Sequence, residues 1–219
     1  MSDATYDRNY WEERYSGHGS DHRGGHGHGA LEANPHLASE TAPLEPGSAL
    51  DAGCGTGTDA LWLAGQGWQV TAVDIAENAL ETARARAQEL GAPVAGRVHW
   101  QCEDLTTWQP PAGGYALVYS HYVHTDAPYA DLYRRLAAAV APGGTLLVVG
   151  HHPDGLHGDA AHAGHHGTQL TAQQVADLLD AGEWTVETAD ARVRTATVGD
   201  GREITLHDAV LRARRNTGR

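Results

Sequence analysis

The residues best placed for chemistry lie in one run, Ala49 to Ala64 (ALDAGCGTGTDALWLA), where Gly53, Gly55 and Gly57 mark a turn between a strand-like and a helix-like segment. Glycines there let the backbone approach a ligand closely, and the N-terminus of the following helix offers unpaired N–H groups. Asp51 stands just before the turn. Asp74, which ends the next strand-like segment, follows the first glycine by about 20 residues, the spacing at which an acid accepts bonds from ribose hydroxyls. Strand, Asp51, Gly-x-Gly-x-Gly, helix, strand and Asp74, in that order, read as a nucleoside site at the carboxyl edge of an open α/β sheet. A dinucleotide fingerprint would need glycine at 58, where Thr58 stands. Asp51 would also repel a pyrophosphate, whereas it would attract an ammonium or sulfonium. S-adenosylmethionine carries both cations, and a ribose for Asp74.

Histidine is the second signal. Thirteen of the 15 His fall in three places: His18 to His28 with His36 behind, His121 with His124, and His151 to His166. Segments that follow parallel strands emerge at the ligand edge, so His121, His124, His151 and His152 are expected at one mouth. Imidazole is the side chain best suited to proton transfer near neutral pH, which makes His121 and His124 the catalytic candidates, as general base or acceptor contact. The Gly/His-rich stretches at 16–29 and 151–167 carry two readings, solvated linkers or imidazole sites for Zn, Ni or Cu, and their spacing specifies no ligand set. On the second reading the cofactors would include a divalent metal.

These residues need a frame. Met1 to Tyr15 has aromatics at helical spacing, and Pro35 to Thr41 is a short helix. Strands are expected at Ser48–Asp51, Gln69–Val73, Val98–Cys102, Tyr115–Ser120 and Thr145–Val149. Helices are expected at Asp59–Ala64, Ala76–Leu90 and Pro128–Ala141, the last stopped by Pro142-Gly143-Gly144. Thr171 opens a further helix as N-cap. Trp184–Thr197 and Glu203–Arg214 alternate like strands, and Asp200-Gly201 between them is a hairpin signal. The alternation calls for an α/β, Rossmann-like open sheet, mostly parallel, with helices on both faces and an antiparallel final pair. Residues 1–45 form an N-terminal helix and His/Gly-rich lid segment, and 46–219 one nucleoside-binding domain.

With those motifs in place, the chain resembles the class I S-adenosylmethionine-dependent methyltransferases, in the small tellurite-resistance/thiopurine-methyltransferase-like bacterial group. The resemblance runs through YWEERY (Tyr10–Tyr15), the glycine motif, WQVTAVDIAENAL (Trp68–Leu80), CEDLTTW (Cys102–Trp108), VYSHYVH (Val118–His124), APGGTLLVVGHH (Ala141–His152) and HDAVLRARR (His207–Arg215). It implies seven strands with the last antiparallel. By position it implies that Gly53, Gly55 and Gly57 line the methionyl and ribose parts of S-adenosylmethionine, that Asp51 holds the amino group and Asp74 the ribose. Ile75 would pack on the adenine, Asp104 and the Leu105 backbone would read its edge, and Ser120 with His121 would flank the methyl-donor end. Tyr10, Trp11, Arg14 and Tyr15 match a segment that closes over the cofactor.

Composition bounds the partners. With 28 acidic and 15 basic residues, all Arg, the net charge is −13. That argues against a nucleic-acid binder held by phosphate contacts, which needs a basic face. The most apolar stretch, Leu136–Gly150, is interrupted at 142–145, short of a membrane span. Cys54 and Cys102 are too few for a disulfide framework and fit a cytoplasmic protein. The expected activity is methyl transfer from S-adenosylmethionine, leaving S-adenosylhomocysteine, to a small-molecule acceptor through sulfur, selenium, tellurium, oxygen or nitrogen, by a monomer or homodimer. Two alternatives stand beside it: a His-rich metal-binding protein, and a non-methylating enzyme on the same scaffold.

Overall fold

In a computed structural model, residues 5–16, 31–153, 170–197 and 203–218 are described. Seven strands form one sheet in the order β3-β2-β1-β4-β5-β7-β6. They are β1 (Ser48–Ala52), β2 (Gln69–Asp74), β3 (Val98–Cys102), β4 (Tyr115–His121), β5 (Val140–His151), β6 (Trp184–Thr197) and β7 (Glu203–Arg215). The first five pair in parallel, and β7 runs antiparallel to both β5 and β6. The helices are α1 (Arg8–Ser16), α2 (Pro35–Thr41), α3 (Thr58–Gly65), α4 (Glu77–Leu90), α5 (Ala92–Ala95), α6 (Tyr129–Ala139) and α7 (Ala172–Ala176).

Strand alternation divides the core into two layers. Leu50, Val118, Leu146 and Leu211 face α6 and α7, packing with Leu132, Leu136 and Val175. Ala49, Leu117, Tyr119, Leu147 and Val210 face the other way, onto Leu37 of α2 and Leu63 of α3. The open α/β architecture with an antiparallel β7 is thus as the sequence implies. The reversal between β6 and β7 is seen in their pairing, while Asp200-Gly201 lies outside the described residues.

Local chemistry sets the element ends. Asp7 accepts from the Tyr10 N–H at 2.9 Å, which starts α1 at Arg8 rather than at the chain terminus. Thr171 and Gln174 form a reciprocal capping box, with bonds of 3.2 and 2.9 Å, at α7. By sequence, the Pro142-Gly143-Gly144 run separates helix from strand. Instead α6 stops at Ala139 and β5 already begins at Val140, with the ladder shifting register between Tyr115 and Leu117. Gly143 at φ +80° takes the bend, and a Cβ on Gly144 would lie 2.9 Å from the Ala116 and Ala141 carbonyls. The glycines therefore let a strand kink and continue. No helix among the described residues is long and apolar enough to cross a membrane.

Candidate active site

The turn after β1 is built on left-handed glycines: Gly53 at φ +86°, Gly55 at +52° and Gly57 at +78°. The Gly53 and Cys54 N–H groups donate to the Val73 carbonyl at 2.8 and 3.0 Å, which ties the turn to the end of β2. A Cβ on Gly53 would collide with the Val123 side chain, and one on Gly57 would meet Trp100 and Ala83 at 2.5 and 2.9 Å. Gly57 therefore serves packing between α3, α4 and β3 as much as any ligand. Arg86 of α4 clamps the turn from outside, donating to the Thr56 carbonyl and the Thr58 hydroxyl at 3.0 Å each.

The two acids flank this turn and differ in their bonding. Asp74 Oδ2 accepts from the Gly55 N–H at 2.8 Å and Oδ1 from the Ala76 N–H at 3.0 Å. Burial nonetheless raises its carboxyl above the usual range, against those two bonds. Asp51 is 2 % exposed and its Oδ2 has no hydrogen-bond partner. Burial, then the nearby Asp59, hold the Asp51 carboxyl well above the ordinary carboxylate range, and Tyr119 opposes the shift. A buried carboxylate oxygen without a donor fits a cationic group, so the residues present suit the ammonium and sulfonium of S-adenosylmethionine. Cys54, raised by burial and then by Asp51 and Asp74, is an inert thiol beside them.

At the end of β4, His121 Nδ1 lies 2.8 Å from Asp59 Oδ2, while Asp59 Oδ1 accepts from the Asn34 N–H, also at 2.8 Å. His121 Nε2 is buried without a partner. Ser120 beside it is 2 % exposed. Tyr122 follows at φ +51°, an uncommon conformation for a bulky side chain. Its hydroxyl donates to Asp208 Oδ2 at 2.9 Å, and its ring lies 4.6 Å from that of His151. Asp208, fully buried in β7, also receives His36 Nε2 at 3.0 Å and Arg194 Nε at 2.5 Å. Burial alone would raise the Asp208 carboxyl, but His36 and Arg194 outweigh it and hold it below the usual range.

Helix α1 lies across the edge of the sheet that carries these groups. Arg8 donates to the Ile75 carbonyl at 2.6 Å and to Cys102 Sγ at 2.9 Å. Glu12 accepts from the Glu77 and Asn78 N–H groups at 2.8 and 3.0 Å, capping α4, whose own N-cap, Ala76, has no side-chain donor or acceptor. The Tyr15 hydroxyl stands 3.0 Å from where a Cβ on Gly55 would be. His124 stacks between Tyr6, Trp11 and His151, at centroid distances of 5.6, 6.3 and 6.4 Å, and Tyr10 meets Tyr6 and Trp11 edge-on.

The structure thus gathers Asp51, the three glycines, Asp74, Ile75, Tyr15, His121 and His124 along one edge. Arg14 is exposed, whereas Arg8 and Glu12 of α1 bond this edge. Asp104 closes its own turn, accepting from the Thr106 N–H and hydroxyl at 2.8 and 2.7 Å, and the Leu105 carbonyl accepts from Arg135 at 2.8 Å. Sequence reasoning missed Arg8, Glu12, Asp59 and Asp208, whose partners are 14 to 172 residues away. Among the described residues no group of three or more His, Cys, Asp or Glu could hold a metal. His18 to His28 and His157 to His166 lie outside them.

An open sheet in this order, with a glycine turn between two acids and β7 reversed, is the class I methyltransferase fold. Residues 49–144 match the family model described as a methyltransferase domain. Trans-aconitate 2-methyltransferase of Rhizobium meliloti is 34% identical over 115 residues, which cover 51% of this chain and 41% of that protein. The chain thus spans less than half the length of that relative. Among solved structures, TehB from Haemophilus influenzae has a TM-score of 0.66 at 15% identity, covering 95% of this chain and 67% of that one. A geranyl diphosphate methyltransferase solved with GPP and sinefungin has a TM-score of 0.61 at 16% identity, covering 81% of this chain and 76% of that one.

Proposed function

We propose that this protein binds S-adenosylmethionine and transfers its methyl group to a small-molecule acceptor by in-line displacement. The observation that carries the proposal is Asp51 Oδ2, a buried oxygen without a partner, set at the glycine turn between β1 and Asp74. Bound there, S-adenosylmethionine supplies a methyl group already activated by the sulfonium. The chain's own work is then orientation and exclusion of water. Asp51 holds the cationic end, Gly53, Gly55 and Gly57 let the backbone come close, and Asp74 keeps lone pairs for the ribose while bonding the turn. Ile75, Asp104 and Leu105 are assigned to the adenine side, and Ser120 to the methyl end. Residues 1–45 supply the lid, in which Tyr10 and Tyr15 cover the nucleoside and Arg14 contributes its charge. His121 and His124 act on the acceptor.

The small-molecule assignment is supported by the −13 charge, which disfavours a polyphosphate backbone, and by a relative named for trans-aconitate. Calorimetry with S-adenosylhomocysteine tests the reading. Binding is expected, and Asp74→Ala should weaken it by about 1.5–3 kcal/mol, the scale of a hydrogen bond to a charged group. A protein that ignores the nucleoside would not be a methyltransferase.

A further inference from the structure

We propose that Asp59 is the positioning residue of a proton-accepting dyad with His121, and that the acceptor is a molecule that arrives carrying a proton on the attacking atom. The proposal rests on the methyltransferase reading and adds a substrate class and a residue to it. The Asp59–His121 ion-pair contact is 2.8 Å, with the His121 side chain 7% exposed. Because a carboxylate only accepts, it fixes the neutral ring with its proton on Nδ1 and its lone pair on Nε2. That nitrogen is buried and has no partner. Leaving a buried basic nitrogen unmatched is unfavourable, and a proton-bearing ligand would relieve it.

The dyad is held from both sides. Asp59 sits in the first turn of α3, immediately after the glycine turn, and its other oxygen accepts from the Asn34 N–H. Among the described residues, the Tyr119 ring centroid lies 5.3 Å from that of His121 and the Tyr122 centroid 6.5 Å, and Asp51 pairs in register with Tyr119 on the neighbouring strand. Neither tyrosine would give up its proton near neutral pH, since burial raises both hydroxyls, so they leave His121 as the base. In the reaction Nε2 takes the proton from the acceptor's O–H, N–H or S–H. The freed electron pair forms the bond to the methyl carbon, and the pair of the breaking carbon–sulfur bond remains on sulfur as a neutral thioether. Asp59 balances the imidazolium that results, which then loses its proton to water.

The Asn34 contact makes one variant decisive. In Asp59→Asn, the backbone N–H of Asn34 holds the amide oxygen, so the amide NH2 faces His121 Nδ1. The ring must then accept on Nδ1 and carry its proton on Nε2, the wrong tautomer for a base. Imidazole nitrogen NMR on histidine-labelled protein, assigned against His121→Gln, reads this directly. Wild-type protein at pH 8 should show the proton on Nδ1, and Asp59→Asn should move it to Nε2. A wild-type proton on Nε2, or no change in the variant, would overturn the dyad, and the wild-type spectrum needs no variant to fold.

Labelled-methyl transfer supplies the kinetic arm, with catechol and 2-mercaptoethanol as protonated probes and trans-aconitate as an ionised one. Turnover of at least one protonated probe is expected. Asp59→Asn should lower kcat by about 10²–10⁴-fold while S-adenosylhomocysteine affinity falls by no more than about threefold, roughly 0.6 kcal/mol, since removing the Asp59 charge only eases ionisation of Asp51. Binding of the nucleoside with no transfer to either protonated probe, or transfer unaffected by the variant, would sink the dyad and leave the methyltransferase reading standing. Failure to bind the nucleoside would remove that reading instead.

Discussion

Asp51 is where stability and ligand binding oppose each other. Its buried carboxyl has no donor on Oδ2, so the ionised form is disfavoured in the folded chain by burial and by the neighbouring Asp59. Asp51→Asn should raise the melting temperature of the ligand-free protein at pH 8 by about 2–4 °C for each kcal/mol relieved, and weaken S-adenosylhomocysteine binding at least tenfold. Thermal denaturation and calorimetry on the same preparation check both signs. The same logic gives a pH dependence. Asp51 must ionise to hold a cation, so affinity should rise with pH until its elevated pKa is passed, with proton release on binding. His124 makes a different case. Stacked between Tyr6, Trp11 and His151, it should cut turnover when replaced by Ala while leaving S-adenosylhomocysteine affinity within about threefold, roughly 0.6 kcal/mol.

Among the elements, α1 and α4 are coupled through the side chains of Glu12 and Asn78. Glu12 fills the capping position that Ala76 leaves empty, and Asn78 returns a bond to the Glu12 carbonyl at 3.1 Å. Loss of a cap typically costs about 0.5–2 kcal/mol. Glu12→Ala should therefore speed amide exchange across residues 8–16 and in the first turn of α4, without changing protection in β4 or β5. Saturating S-adenosylhomocysteine should slow exchange in 5–16 of the wild type, because Tyr15 and Arg8 meet the turn and the end of β2. Exchange that ignores the nucleoside would argue that α1 is only a packed terminal helix.

At the scale of the whole molecule, Asp208 joins four distant segments: His36 of α2, Tyr122 after β4, Arg194 of β6 and its own strand β7. Removing it strands a partly buried Arg194, with its guanidinium 5.5 Å from the Tyr122 ring centroid. Asp208→Ala should cost about 3 kcal/mol in urea unfolding, the low end for a broken buried pair because Arg194 keeps some solvent. The acids also set opposite pH windows. The lowered Asp208 contributes stability that is lost as pH falls through its folded pKa, below about 3.9. The raised Asp51 and Asp74 favour the folded state when protonated, so their contribution falls as pH rises from about 4 through their folded values. Comparing wild type with Asp51→Asn across pH 3–9 should show a stability difference that grows with pH and then levels.

Much of the frame is legible in the amino-acid sequence, because its signals are local and periodic. Alternating apolar residues set strands such as Gln69–Asp74, Gly91 stops α4, and Thr171 with Gln174 opens α7. The turn between Asp51 and Asp74 is readable because its chemistry is compressed into 24 residues. Tertiary structure alone decides who meets whom. By sequence Asp59 is an ordinary first-turn acid; the fold brings it His121 from 62 positions away. Glu12 and Arg8 carry no motif, and only the docking of α1 gives them α4 and Ile75 as partners. Asp208 is one of several polar residues in β7, and its meaning comes from His36, 172 residues distant. Such pairs leave no trace in spacing, since a hydrogen bond needs proximity and orientation that the chain acquires only by folding.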